Sequence, residues 1–287
     1  MNKWQIVEHQ RNVHTIQINL PGVRDEQWIL LASDVHWDNP KCDRELFSKH
    51  LDLAKKRNAA VLFGGDLFCA MQGKFDPRST KYEIRPEHVV GDYLDAIVRD
   101  CAKFLEPYKN QIALVNPGNH ETAILKRHET NLVQGLVEKL RDKKGVARMG
   151  GYSGYVRLQI LDGGGTRRNS VLLHYHHGFG GGGPVTRGVI QTNRMAVYLA
   201  DADIVWTGHT HDHWMVPIQR VRLNQNFGVE QCRQVHVRSA GYKDDYVDGI
   251  GGWHIERGGP PKPRGGLWIR LSLDKKKAKY ELTEAHE

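Results

Sequence analysis

Five short stretches of this 287-residue chain carry side chains able to hold divalent metal ions: Asp34-Val35-His36, Gly65-Asp66, Gly118-Asn119-His120-Glu121, His174-Tyr175-His176-His177 and His209-Thr210-His211. Together they offer carboxylate, amide and imidazole donors and no thiolate, a mixture that suits Mn2+, Fe or Zn2+ better than Ca2+ or a thiolate-loving ion. A carboxylate set between imidazole-bearing groups can bridge two ions ~3.5–4 Å apart, and such a pair acidifies a shared water and clamps the oxygens of an in-line displacement at phosphorus. Singly, each stretch also has a plain reading. Gly-Asp after an apolar run is a common turn, and two histidines at alternate positions can be a surface pair.

Their placement is what joins them. Each follows a short apolar run, at 28–32, 60–63, 112–115, 170–173 and 203–206. In α/β sheets, ligands bind outside the carboxyl ends of the strands, so five such ends can converge. Helical spacing of apolar residues separates the runs, predicting helices over 43–57, from Pro86 to about 105, and over 192–200. Beyond 214 the period drops to two, predicting strands near 214–223 and 229–238 and a hairpin over 267–282. The chain thus reads as an α/β domain with a β-rich C-terminal part.

In order and spacing, the five stretches resemble the signature of the calcineurin-like metallophosphoesterases. Asp34, Asp66, Asn119, His176 and His209 are separated by 32, 53, 57 and 33 residues. The resemblance spans about 28–214 and implies a four-layer α/β/β/α sandwich of two mixed sheets, one domain over 1–287. It further implies that Asp34, His36 and His211 hold one metal, that Asp66 bridges, and that Asn119, His176 and His209 hold the other. The cofactor is then two divalent ions, Mn2+ foremost, with Fe, Zn2+ or Ni2+ also fitting. His120 would stabilise the transition state or protonate the leaving oxygen as a bridging hydroxide attacks. Three histidines crowd the fourth stretch. His176, two residues before Gly178, meets the family's usual placement, with His177 and His174 as alternatives.

Phosphoprotein phosphatases of this superfamily extend the second motif to Asp-Arg-Gly, whereas here Asp66 precedes Leu67-Phe68-Cys69-Ala70. The chain is therefore closer to the phosphodiesterase and repair-nuclease branches, and the expected substrate is a phosphodiester, with a phosphomonoester or phosphoprotein as the alternative. Arg187, Asn193 and Arg194, just past a Gly-rich loop, are the candidates to bind substrate phosphate. No Gly-Lys-Ser/Thr follows that loop, so it is not a P-loop.

Composition limits the other readings. Gly 30 and Pro 11 make about 14% of the chain, below the roughly 25–30% of low-complexity sequences. Lys and Arg exceed Asp and Glu by 41 to 33, a net +8, which admits nucleic acid as a substrate, or a nucleic-acid-binding module with a structural metal site. Seven of the cations lie within 262–279, against Asp274 alone, away from the five stretches. Cys42, Cys69, Cys101 and Cys232 form no C-x-x-C pair. The start has no apolar leader and no window reaches the ~18 apolar residues of a membrane span, so the expectation is a cytoplasmic protein with no membrane partner.

Overall fold

The computed structural model describes residues 3–285 apart from 23, 72–83, 163–167, 182–185, 187, 224–226, 248, 251–252, 257 and 275–276. In chain order its elements are β1 (Trp4–Gln10), β2 (Val13–Leu20), β3 (Glu26–Ala32), α1 (Arg44–Lys56), β4 (Ala60–Phe63), α2 (Tyr93–Leu105), β5 (Ile112–Val115), α3 (Asn119–His128), α4 (Leu132–Asp142), β6 (Arg148–Met149), β7 (Ser153–Asp162), β8 (Arg168–His176), α5 (Val189–Tyr198), β9 (Ile204–Thr207), β10 (Trp214–Leu223), β11 (Val229–Arg238), α6 (Trp253–Glu256), β12 (Gly266–Asp274) and β13 (Lys277–Ala285).

Two mixed sheets stack face to face. One has the order β13-β12-β3-β4-β5-β6, the other β1-β2-β7-β8-β9-β11-β10. In the first, β3, β4, β5 and β6 run parallel; in the second, β8, β9 and β11 do. Parallel strands buried on both faces need apolar side chains on both, and Ala60–Phe63, Ile112–Val115 and Ile204–Thr207 are buried throughout. One face of β3, β4 and β5 packs with Ile16, Ile18, Leu173, Tyr175, Val235 and Val237 of the facing sheet. Their other face takes the apolar stripes of α1, α2 and α4, with Phe47, Leu51, Ile97, Cys101, Leu136 and Leu140 among the buried residues. A smaller cluster of Met195, Leu199, Ala202 and Val205 fixes α5 on the outer face of the second sheet. The four layers expected from the resemblance are present.

Most element boundaries match the periodicity. The helix expected from Pro86 does not run through to 105: Pro86 opens a single 3-10 turn, Pro86–His88, and α2 starts only at Tyr93. Gly91, which costs a helix interior about 1 kcal/mol relative to alanine, lies between the two. No helix among the described residues is long and apolar enough to cross a membrane.

Candidate metal centre

All five stretches lie at the carboxyl ends of strands, β3, β4 and β5 in one sheet and β8 and β9 in the other, and they meet along one edge of the sandwich. Loops after neighbouring strands are laced together by backbone bonds: the N–H groups of Asp34, His36 and Trp37 donate to the carbonyls of Gly65, Asp66 and Leu67 at 3.0, 3.1 and 2.8 Å. Buried carboxylates complete the lacing. Glu121, at the third position of α3, accepts from the N–H groups of Gly118, Phe68 and Asp66 at 2.7, 2.9 and 3.1 Å, and Asp38 accepts from those of Cys69 and Ala70. These staples let loops full of polar groups sit in the interior without orphaned donors.

Two donor groups result. Asp34, His36 and His211 have ligating atoms within 4.8 Å of one another, and so do Asp66, His177 and His209. In the first, His211 Nε2 lies 3.3 Å from His36 Nε2 and 3.5 Å from Asp34 Oδ1. In the second, His177 Nε2 lies 3.1 Å from Asp66 Oδ2 and 2.9 Å from Asn119 Oδ1. Asp34 Oδ2 accepts from Ser33 Oγ and from the His209 N–H, tying the two groups together.

The fourth-stretch assignment is corrected here. The structure places His177, not His176, against Asp66 and Asn119. Strand alternation is the reason: Val171, Leu173 and Tyr175 of β8 point between the sheets, and His177 continues that series. His176 points to the other face, where its Nδ1 accepts the Gly178 N–H at 2.9 Å and its ring packs against Tyr152 and Phe179. His174 also points outward and pairs with Ser153 Oγ at 3.1 Å.

The phosphate-binding expectations fare differently. Arg187 lies outside the described residues. Asn193 and Arg194 are on exposed positions of α5, away from the buried Thr192 and Met195, and neither joins the cluster. Gln191 of α5 instead accepts from buried Arg238, which also donates to Thr207 and Thr210 beside His209. Sequence reasoning also missed Cys69, whose sulfur lies within 4.8 Å of ring nitrogens of His36 and His120. His120 itself donates through Nδ1 to the Cys69 carbonyl at 2.6 Å, which leaves Nε2 on the site side, 3.8 Å from Asp66 Oδ2.

The electrostatics follow from who faces whom. Burial works against the charge of Asp34, yet the contact with His211 and the charges of His177 and His211 prevail and hold it below the ordinary range. Burial likewise opposes Asp66, and His177 and His120 pull it well down. Burial disfavours protonated His177, but Asp66 overrides this and raises the ring to about 10; His211, against Asp245 and Asp34, is raised to about 9 in the same way. His36 is lowered, first by burial and then by the neighbouring His120 and His211.

The donor set fits divalent cations. Asp34 Oδ1 is buried without a hydrogen-bond partner, a costly state that an adjacent cation relieves. The cradle around the carboxylates also admits no extra atoms: a Cβ on Gly118 would meet Asp66 Oδ1 at 2.1 Å, and one on Gly208 would meet Asp34 Oδ2 at 2.4 Å. Asp34, His36, Asp66, His209 and His211 all have φ between 50° and 77°, the left-handed region that non-glycine residues seldom occupy and that clusters at functional sites.

Three solved structures are similar to this chain at low sequence identity. Vacuolar Protein Sorting 29 from Cryptosporidium parvum is 15% identical, with 91% of this chain and 99% of that one covered and a TM-score of 0.37. A conserved uncharacterized protein from Streptococcus pneumoniae, described as a predicted phosphoesterase, is 14% identical over 92% of each chain, with a TM-score of 0.32. Vps29 from Entamoeba histolytica, solved with Zn2+, is 12% identical, with 91% and 100% covered and a TM-score of 0.33. No curated protein matches. The family model for calcineurin-like phosphoesterases matches residues 28–213, a span that runs from within β3 through β9 and holds every residue of the two donor groups, and the chain belongs to that family.

Proposed function

We propose that the protein is a metal-dependent phosphoesterase acting on a phosphodiester, with Asp34, His36 and His211 around one divalent cation, Asn119, His177 and His209 around a second, and Asp66 shared between them. The observation that carries this reading is the pair of donor groups, each within ligating reach, at five strand ends that the backbone laces into one site. When bound, two such cations would supply an acidified water and positive charge for the phosphoryl oxygens, and Mn2+ is among the ions that mixed O/N donors suit. Asp34 and Asp66, held ionised, keep the donor set anionic. The Nδ1–H of His120, fixed on the Cys69 carbonyl, aims Nε2 at the cleft, where it can hydrogen-bond the leaving oxygen and pass it a proton.

A diester is favoured because, among the described residues, 67–71 after Asp66 add no guanidinium fork. Leu67, Phe68 and Ala70 are buried, and Arg238 is buried and engaged with Thr207, Thr210 and Gln191. A diester brings one negative charge where a monoester brings about two, so it needs fewer cations. The cationic run at 262–279 gives no added preference for a polymer. Lys262 pairs with Asp212, Arg264 with Asp43, and Arg270 with Glu26 and Glu281.

Turnover of bis-p-nitrophenyl phosphate and p-nitrophenyl phosphate with Mn2+ tests the reading. The diester is expected to be cleaved faster, and Asp66→Ala and His120→Ala are each expected to lower its turnover by about 10²–10⁴-fold. Unchanged rates in both variants would overturn the assignment. Degradation of single-stranded DNA against that of a cyclic nucleotide then divides a nuclease from a small-diester hydrolase.

A further inference from the structure

Asp245 lies 34 residues beyond His211, outside all five stretches. The backbone before it is pinned to the site from several sides. Tyr242 N–H donates to the Asp34 carbonyl at 2.9 Å, Asp43 N–H to that of Tyr242 at 2.7 Å, Asp244 N–H to that of Lys41 at 2.9 Å, and Gly265 N–H to that of Gly241 at 2.9 Å. From this anchored strip the two oxygens of Asp245 diverge: Oδ1 takes Lys243 Nζ at 2.9 Å and Oδ2 lies 3.3 Å from His211 Nδ1. The far nitrogen of the same ring, Nε2, is the one beside Asp34 and His36.

An ionised carboxylate only accepts, so the ring nitrogen against it must carry the hydrogen, and in a neutral imidazole the other nitrogen then holds the lone pair. We infer that Asp245 is a positioning residue of the metal centre: it takes the Nδ1–H of His211 and so turns the Nε2 lone pair of that ring towards Asp34 and His36. Lys243 holds the second carboxylate oxygen and stops Asp245 from swinging away. This rests on the metal-dependent reading above and adds a residue to it. Carboxylate partners behind ligating histidines fix ring orientation and raise ligand basicity, and their loss costs metal affinity.

Two measurements on the full chain separate this inference from the reading it rests on. In histidine-labelled, metal-free protein, NMR should show an exchange-protected proton on His211 Nδ1 that Asp245→Ala abolishes. In Mn2+ titrations, Asp245→Ala should weaken binding roughly 10–100-fold, and the turnover it loses should shrink as Mn2+ is raised. Asp245→Asn, which retains one acceptor and the same shape, should recover part of the affinity and guards against a folding defect. A protected Nδ1 proton and wild-type Mn2+ affinity in both variants would overturn the role of Asp245. If the unaltered chain bound no Mn2+, the metal-dependent reading would fall, while the Nδ1 proton would still decide whether Asp245 sets the ring.

Discussion

His174 and His177 stand three residues apart at the end of one strand, at 5% and 1% relative exposure, and face opposite sides of the same sheet. His174 looks outward, beneath α5, with Ser153 as its hydrogen-bond partner. Burial there lowers it to about 4, and His236, on the same face two strands away, is lowered to about 4 as well. His177 looks between the sheets at Asp66 and is raised to about 10 despite tighter burial. Burial alone therefore says nothing about what a histidine does. The decisive variable is the carboxylate opposite, and the parity of the strand decides which ring meets one.

The sharpest way to break this contrast is to remove the rings one at a time. His177→Ala should lower diester turnover by more than ~100-fold, beyond the roughly 10–100-fold cost of losing a partner behind a ligand. His176→Ala and His174→Ala should stay within a few-fold of the unaltered protein. Equal losses at 176 and 177 would return the fourth motif to ambiguity. A smaller effect should appear in stability. Mn2+ at about 100 times its Kd should add ~2.7 kcal/mol to the folded state, or several degrees in Tm, for the unaltered chain and for His174→Ala. His177→Ala should gain far less, as read by a thermal melt with and without the metal.

The smallest expected effect belongs to the outer face. His174 and His236 are lowered when folded, whereas an unfolded histidine titrates near ~6.5, so the unfolded chain binds protons first as the pH falls. Their contribution is present above pH ~6.5 and is lost progressively towards about 4. By pH 5 the loss should amount to roughly 1 kcal/mol per ring, after allowance for residual solvent contact. A His174→Gln, His236→Gln double variant should therefore show a shallower fall in Tm between pH 7 and 4.5. An unchanged slope would mean that these rings are already hydrated in the native state.

The same contrast explains what the sequence made legible. Apolar runs ending in Asp, Asn or His located five strand ends, because parallel strands need apolar side chains on both faces and cannot hide polar ones. The left-handed turns that follow were not readable, since Asp and His, though enriched in that region, occupy it in only a small share of cases. The choice of His177 was within reach, because Val171, Leu173 and Tyr175 already set the inward parity, but a rule counting back from Gly178 pointed one residue short. Asp245, Arg238 and Gln191 act across strands or loops, through contacts that only the folded chain creates. Glu121 lies between these cases, since a carboxylate at the third position of a helix is a recognised cap, while its reach to Phe68 and Asp66 is tertiary.

Five residues of the donor set hold left-handed backbone, a conformation costing of order 1–3 kcal/mol apiece. Asparagine visits that region more willingly than most residues and nearly matches aspartate in shape. An Asp→Asn exchange at 34 or 66 would remove an ionised ligand while leaving the backbone at ease. Inactivation and unfolding are thus uncoupled at this edge of the sandwich, and the sequence stands a short mutational step from a chemically silent descendant with its architecture intact.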